Sequence, residues 1–178
     1  MNKVFRAFII AILIFILGVF LINIKFNIKD IKNNPIVTNQ SSSQEKDILY
    51  FAYGSNMNIN QMNNRCPDGF EKVTNAKLNN YAFGFDQSGY ANLKDQKNNE
   101  TIGILYQITE LCLKSLDGYE GYPDHYNRKI VMVIDLESNK QYQSQVYIQS
   151  PKNFGGKANQ EYLGRIIIGA KENQLPES

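Results

Sequence analysis

Ile48-Leu49-Tyr50-Phe51-Ala52-Tyr53-Gly54-Ser55-Asn56-Met57 is the stretch whose reading decides the fold. Its first six residues are apolar or aromatic, as in a buried strand, and the run stops at Gly-Ser-Asn. Gly accepts positive φ without steric cost, and Ser and Asn bond to nearby backbone, so a tight turn follows the strand. A strand that runs into such a turn can aim successive backbone N–H groups into one concavity. That geometry suits a carboxylate or a developing oxyanion. A plain strand end has the same local pattern, so the choice between them rests on the rest of the chain.

Upstream, Asp30 to Lys46 is polar and aperiodic and includes Ser41-Ser42-Ser43, the composition of a flexible linker over residues 30–46. Before it, Ala7 to Ile22 is uninterrupted apolar, with Lys3 and Arg6 ahead and Lys25 behind. Extended from Val4 to Ile24 it is long enough to cross a bilayer core, with Arg6 free to snorkel. Residues 1–29 are therefore expected to be a single-pass N-terminal membrane anchor. A cleaved signal peptide is the competing reading, but Phe20 to Lys25 offers no small-residue cleavage site. Positive charges are nearly balanced across the span, so the side of the membrane is not set.

Downstream, residues 47–178 are expected to form the folded domain. The 178-residue chain is 43% hydrophobic and 12% aromatic, enough for a real core. A net charge of +2 without a basic cluster gives no footprint for nucleic acid. Cys66, Cys112 and the lone His125 make no metal-ligand pattern, so no metal or cofactor is expected, and nothing in the sequence indicates that the cysteines pair. Tyr81–Phe85, Ile102–Ile108, Lys129–Leu136 and Gln143–Ile148 read as strands. Asn58–Arg65, Thr109–Leu116 and Asn159–Ala170 read as helices. Strands outnumber helices without regular βαβ alternation, which favours an α+β fold.

The chemistry has one more candidate locus, Leu116-Asp117-Gly118-Tyr119-Glu120-Gly121-Tyr122, read as a turn after a helix. A carboxylate beside aromatic rings is partly desolvated, which raises its pKa and improves it as a base near neutrality. Ordinary surface acids in a turn would account for the same residues. Tyr126 and Tyr162 follow, and isolated tyrosines are more often packing than site residues.

Taken together, Tyr53-Gly54-Ser55-Asn56-Met57, Leu116-Asp117 with Glu120-Gly121, and Tyr162 followed by Gly169-Ala170-Lys171-Glu172-Asn173-Gln174-Leu175-Pro176 resemble the γ-glutamylcyclotransferase family. Tyr90-Ala91-Asn92-Leu93 and Ile102-Gly103-Ile104-Leu105-Tyr106 add to the resemblance, which runs from Asp47 to Pro176. It implies a small closed or nearly closed mixed β-barrel flanked by helices. It also implies cleavage of a small-molecule γ-glutamyl amide by its own α-amine, releasing 5-oxoproline and a free amine. By the same resemblance Glu120 is the catalytic acid/base, Tyr53, Gly54, Ser55 and Asn56 cradle the substrate, and Tyr126 and Tyr162 line its pocket.

One carboxylate can take the proton from the α-amine and return it to the leaving amine, with no metal or covalent intermediate. A serine hydrolase using Ser55 and His125 is a weaker reading, because Ser55 lacks the paired glycines of a nucleophile elbow. A non-catalytic module that only binds a γ-glutamyl ligand is the other alternative. A buried Glu120 argues against it, since a binder of an anionic ligand has no use for that charge.

Overall fold

Ile48–Ala52 forms β1, and its last three residues are buried. A strand without a polar face must be covered on both sides. β1 runs antiparallel to the end of β3 (Ala91–Ile108), pairing Ile48 with Ile108 and Ala52 with Ile104. Its other edge meets β5 (Gln141–Ile148) in parallel, with Tyr50 opposite Gln145. β2 (Phe70–Phe85) forms a long antiparallel hairpin with β3, and β4 (Asn127–Asp135) bridges β2 to β5. The order β1-β3-β2-β4-β5 closes into a barrel, mixed because β1 and β5 run in parallel. The α+β expectation is met by this five-stranded closed barrel with three helices.

This computed structural model describes residues 48–150 and 153–176. The anchor expected over residues 1–29 and the linker over 30–46 lie outside the described residues. Among the described residues no helix is long and apolar enough to cross a membrane.

The core gathers Phe51, Leu93, Ile104, Leu105, Tyr106, Val133 and Val146, each at most 1% exposed. Burying one such side chain is worth roughly 1.5–3 kcal/mol. Gly103 is needed beside it, because a Cβ there would collide with the Ala52 carbonyl and the Phe51 ring.

The hairpin is far longer than the sequence predicts. Only Tyr81–Phe85 and Ile102–Ile108 read as strand, yet β2 begins at Phe70 and β3 at Ala91. The stretch from Lys94 to Asn98 is exposed, so no apolar alternation marks it. Cross-strand pairing, not burial, holds it extended, as in Tyr81 opposite Asp95.

Each helix begins with a side-chain cap. Asn58 caps α1 (Ile59–Arg65) by accepting from Gln61 N at 3.0 Å. Thr109 caps α2 (Glu110–Glu120) through Cys112 N at 3.0 Å, and Asn159 caps α3 (Gln160–Glu172) through Tyr162 N at 2.8 Å. Such caps contribute about 1 kcal/mol each. The reading of α2 needs correction: the helix does not end at Leu116 but runs through Gly118 to Glu120. Its stop is Gly121, whose φ of 62° is the left-handed C-terminal conformation that glycine adopts freely. A disulfide joins Cys66, directly after α1, to Cys112 on α2. Cross-linking residues 46 apart restricts the unfolded chain, an effect of about 4 kcal/mol in the loop-closure treatment.

Candidate active site

Residues Ser55–Met57 after β1 coil into a single 3-10 turn, closed by Met57 N donating to Gly54 O at 3.0 Å. The turn is held from behind by the C-terminal segment. Glu172 accepts from Ile59 N at 3.3 Å, and Asn173 Nδ2 donates to Met57 O at 3.0 Å. A Cβ at Gly169 would collide with the backbone between Met57 and Asn58, so glycine lets α3 approach this closely. The Gly-Ala-Lys-Glu-Asn run is thus the clamp on the turn. On the other side, a Cβ at Gly54 would come within 2.8 Å of Ala91 Cβ.

Asn56 is the hub. Its Nδ2 donates to Tyr50 Oη at 2.8 Å and to Glu120 Oε1 at 3.1 Å. Its Oδ1 accepts from Gln61 Nε2 at 3.0 Å and from Arg65 Nη1 at 2.8 Å. Gln61 Nε2 also donates to Ser55 Oγ at 2.6 Å, and Arg65 Nη1 pairs with Glu120 Oε1 at 2.9 Å. Gln61 and Arg65 are four apart on α1, so one helix face presents both to the turn. The Arg65 guanidinium also lies over the Tyr119 ring, 4.8 Å from its centroid.

Glu120 enters this cluster from the last turn of α2, with 15% of its side chain exposed. Burial pushes its carboxyl pKa up, and the opposing pull of Arg65 and Asn56 does not cancel that. Burial, with the Glu120 charge adding, also pushes the Tyr50 and Tyr126 phenols up, so both stay protonated.

The tyrosines frame the site through the backbone. Tyr53 Oη donates to Tyr147 O at 2.6 Å, and Tyr126 Oη donates to Ala91 O at 2.6 Å. Tyr162 Oη accepts from Ala91 N at 3.2 Å. The Ala91 segment opposite Gly54 is therefore pinned from both sides. Tyr53, Gly54, Ser55, Asn56, Glu120, Tyr126 and Tyr162 all line one cavity of about 530 Å³. The structure brings every residue of the expected set to that cavity.

Two readings change. Glu120 belongs to a helix terminus, not to a turn beyond it. Ser55 Oγ is bonded to Gln61, not to His125, although His125 lines the same cavity. The sequence reading missed Tyr50, Gln61 and Arg65; the i, i+4 spacing of the last two behind the Asn58 cap was the available signal. Asp117 is positioned elsewhere: its Oδ1 accepts from Tyr147 Oη at 2.7 Å and lies 3.5 Å from Arg128 Nε.

With this geometry in view, the chain matches the family model described as gamma-glutamyl cyclotransferase, AIG2-like, over residues 50–165. It is 26% identical over 142 residues to the gamma-glutamylcyclotransferase of Homo sapiens, covering 74% of each chain. It is 27% identical over 144 residues to that of Bos taurus, covering 76% of each. A solved structure of a gamma-glutamyl cyclotransferase superposes with a TM-score of 0.67 at 26% identity, over 74% of this chain and 82% of that one.

Proposed function

The chain belongs to the gamma-glutamyl cyclotransferase, AIG2-like family, and from that premise we propose that it cyclises γ-glutamyl amides to 5-oxoproline. The observation that carries the reading is Glu120. Its Oε1 is fixed by Arg65 and Asn56, its pKa is raised by burial, and it faces a cavity large enough for the substrate.

In this mechanism the γ-glutamyl group lies along the turn Gly54–Asn56 with its α-amine toward Glu120. Glu120 takes a proton from the α-ammonium group, and the freed nitrogen attacks the γ-carbonyl carbon. The carbonyl oxygen gains negative charge. In this reading the amides of Ser55 and Asn56, first in the 3-10 turn and so without acceptors inside it, receive that charge. Glu120 then gives that proton to the departing nitrogen and takes the second one from the attacking nitrogen, so that the γ C–N bond breaks and a neutral lactam and a free amine leave. No water is consumed. Holding the flexible glutamyl chain in its ring-closing shape supplies much of the acceleration, since intramolecular attack benefits by several kcal/mol from such alignment.

The test is to incubate the full-length protein with a panel of γ-glutamyl amides and quantify 5-oxoproline. Release of 5-oxoproline with the stoichiometric amine is the expected result. Tight binding without product would make the chain a γ-glutamyl binding module instead.

We also propose that the apolar run from Ala7 to Ile22 anchors this activity to a membrane. Cell fractionation checks this: the protein is expected in the membrane pellet after a high-salt wash, and recovery in the soluble fraction would remove the proposal.

A further inference from the structure

The cavity has a polar floor and an aromatic mouth. Of the large apolar side chains described, Tyr119 is the most exposed at 58%, and Tyr90 is 54% exposed; both line the cavity that holds Glu120. Large aromatic surface left in water at the rim of a cleft marks a place where a ligand is received.

Neither ring is loose. Tyr119 supports the Arg65 guanidinium, and Tyr90 packs edge-on against Tyr162 with centroids 5.4 Å apart. Tyr162 in turn accepts from Ala91 N. Rings fixed before the ligand arrives lose little entropy on binding it.

Most of the polar side chains around them already have partners. Gln61 serves Ser55 and Asn56, Arg65 serves Glu120 and Asn56, Gln149 donates to Asp86, and Arg165 pairs with Glu161. Besides His125, which is exposed and lines the same cavity, the large surfaces still open to a ligand at the mouth are the two tyrosine rings. The cavity volume falls within the range of sites that hold drug-sized molecules, leaving room beyond the glutamyl group.

We propose that the amine released by this enzyme bears an aromatic ring, which Tyr90 and Tyr119 receive at the mouth while Glu120 works on the γ-amide below. This substrate class rests on the cyclotransferase reading and deepens it. A ring against each tyrosine is worth about two- to tenfold in affinity, beyond the area buried.

The experiment measures kcat/KM of the full-length protein on γ-glutamyl-phenylalanine, γ-glutamyl-cyclohexylalanine and γ-glutamyl-alanine. The wild type is compared with Tyr90→Ala, Tyr119→Ala, the double variant and the two Tyr→Phe variants. The wild type should prefer phenylalanine over alanine by roughly tenfold or more, with cyclohexylalanine between them. The phenylalanine-to-alanine ratio should fall by about two- to tenfold with each Tyr→Ala change and hold in the Tyr→Phe variants. Equal turnover of all three amides overturns the leaving-group assignment while leaving the cyclotransferase reading standing. A fall in rate that is the same for every substrate also overturns it, since the rings would then only support the fold. Absence of 5-oxoproline from every amide overturns the cyclotransferase reading itself.

Discussion

Two carboxylates three residues apart on α2 have nearly the same company. Glu120 pairs with Arg65, which lies 4.8 Å over the Tyr119 ring. Asp117 pairs with Arg128, which lies 4.5 Å over the Tyr122 ring. In each pair a single carboxylate oxygen takes the guanidinium together with a second donor, Asn56 Nδ2 for Glu120 and Tyr147 Oη for Asp117. Their side chains are 15% and 21% exposed. Partner type and burial therefore do not separate the two acids. The cavity does: Glu120 lines it, and Asp117 holds α2 against β4 and β5 instead.

The comparison is sharpest when the two acids are changed separately. Glu120→Gln keeps the shape and the hydrogen bonds but cannot accept the α-ammonium proton. It is expected to lose roughly a hundred- to ten-thousand-fold in kcat/KM, with melting little changed. Asp117→Ala should do the reverse. Leaving Tyr147 and Arg128 without their partner should cost about 1–3 kcal/mol of stability, and turnover should stay within about tenfold. Measuring 5-oxoproline release beside thermal melting reads both, and the opposite pattern would break the comparison.

The arginines give the next contrast. Arg65 pulls the Glu120 pKa down against burial, so Arg65→Met removes that pull and the carboxyl pKa rises further. The acidic limb of the pH profile of kcat/KM is expected to move to higher pH, with Arg65→Lys recovering part of the shift. Arg128→Met should leave the limb in place. A limb that moves equally in both variants would mean that neither arginine tunes Glu120 specifically.

The smallest effect is on stability. Burial holds Glu120 above its ordinary 4.5, so the native state keeps a proton that the unfolded chain releases. The cost of ionising this group in the fold is absent below pH 4.5 and complete once the pH has passed the raised native value. Glu120→Gln removes that cost. The variant should therefore melt at a slightly higher temperature than the wild type at neutral pH, and the gap should close toward pH 4.5. A gap that widens on acidification would place the native pKa below the ordinary one.

Legibility in the sequence followed burial and local chemistry. The run through Tyr53, the Asn58, Thr109 and Asn159 caps and most of β4 and β5 show as patterns because each side chain sees its own neighbours in the chain. The exposed arm of the hairpin did not, since cross-strand bonds hold it and no apolar alternation records them. The end of α2 was misplaced because Gly118 reads as a breaker, whereas the left-handed stop is Gly121.

By itself the sequence determined the strand-to-turn opening, the α+β class and, through the ordered motifs, the family. It named Tyr53, Gly54, Ser55, Asn56, Glu120, Tyr126 and Tyr162 as candidates, which line one cavity. The need for glycine at 54, by contrast, comes from the close approach of Ala91 and not from a positive φ in the turn. Only the tertiary structure decided what surrounds Glu120. Arg65 lies 55 residues away in the chain and Asn56 lies 64, and closing the barrel with its disulfide brings their helix and turn against α2. The raised pKa of Glu120 and the tyrosine mouth above it are sums over such distant neighbours. Desolvation and charge act through space, so no local pattern in the chain encodes them.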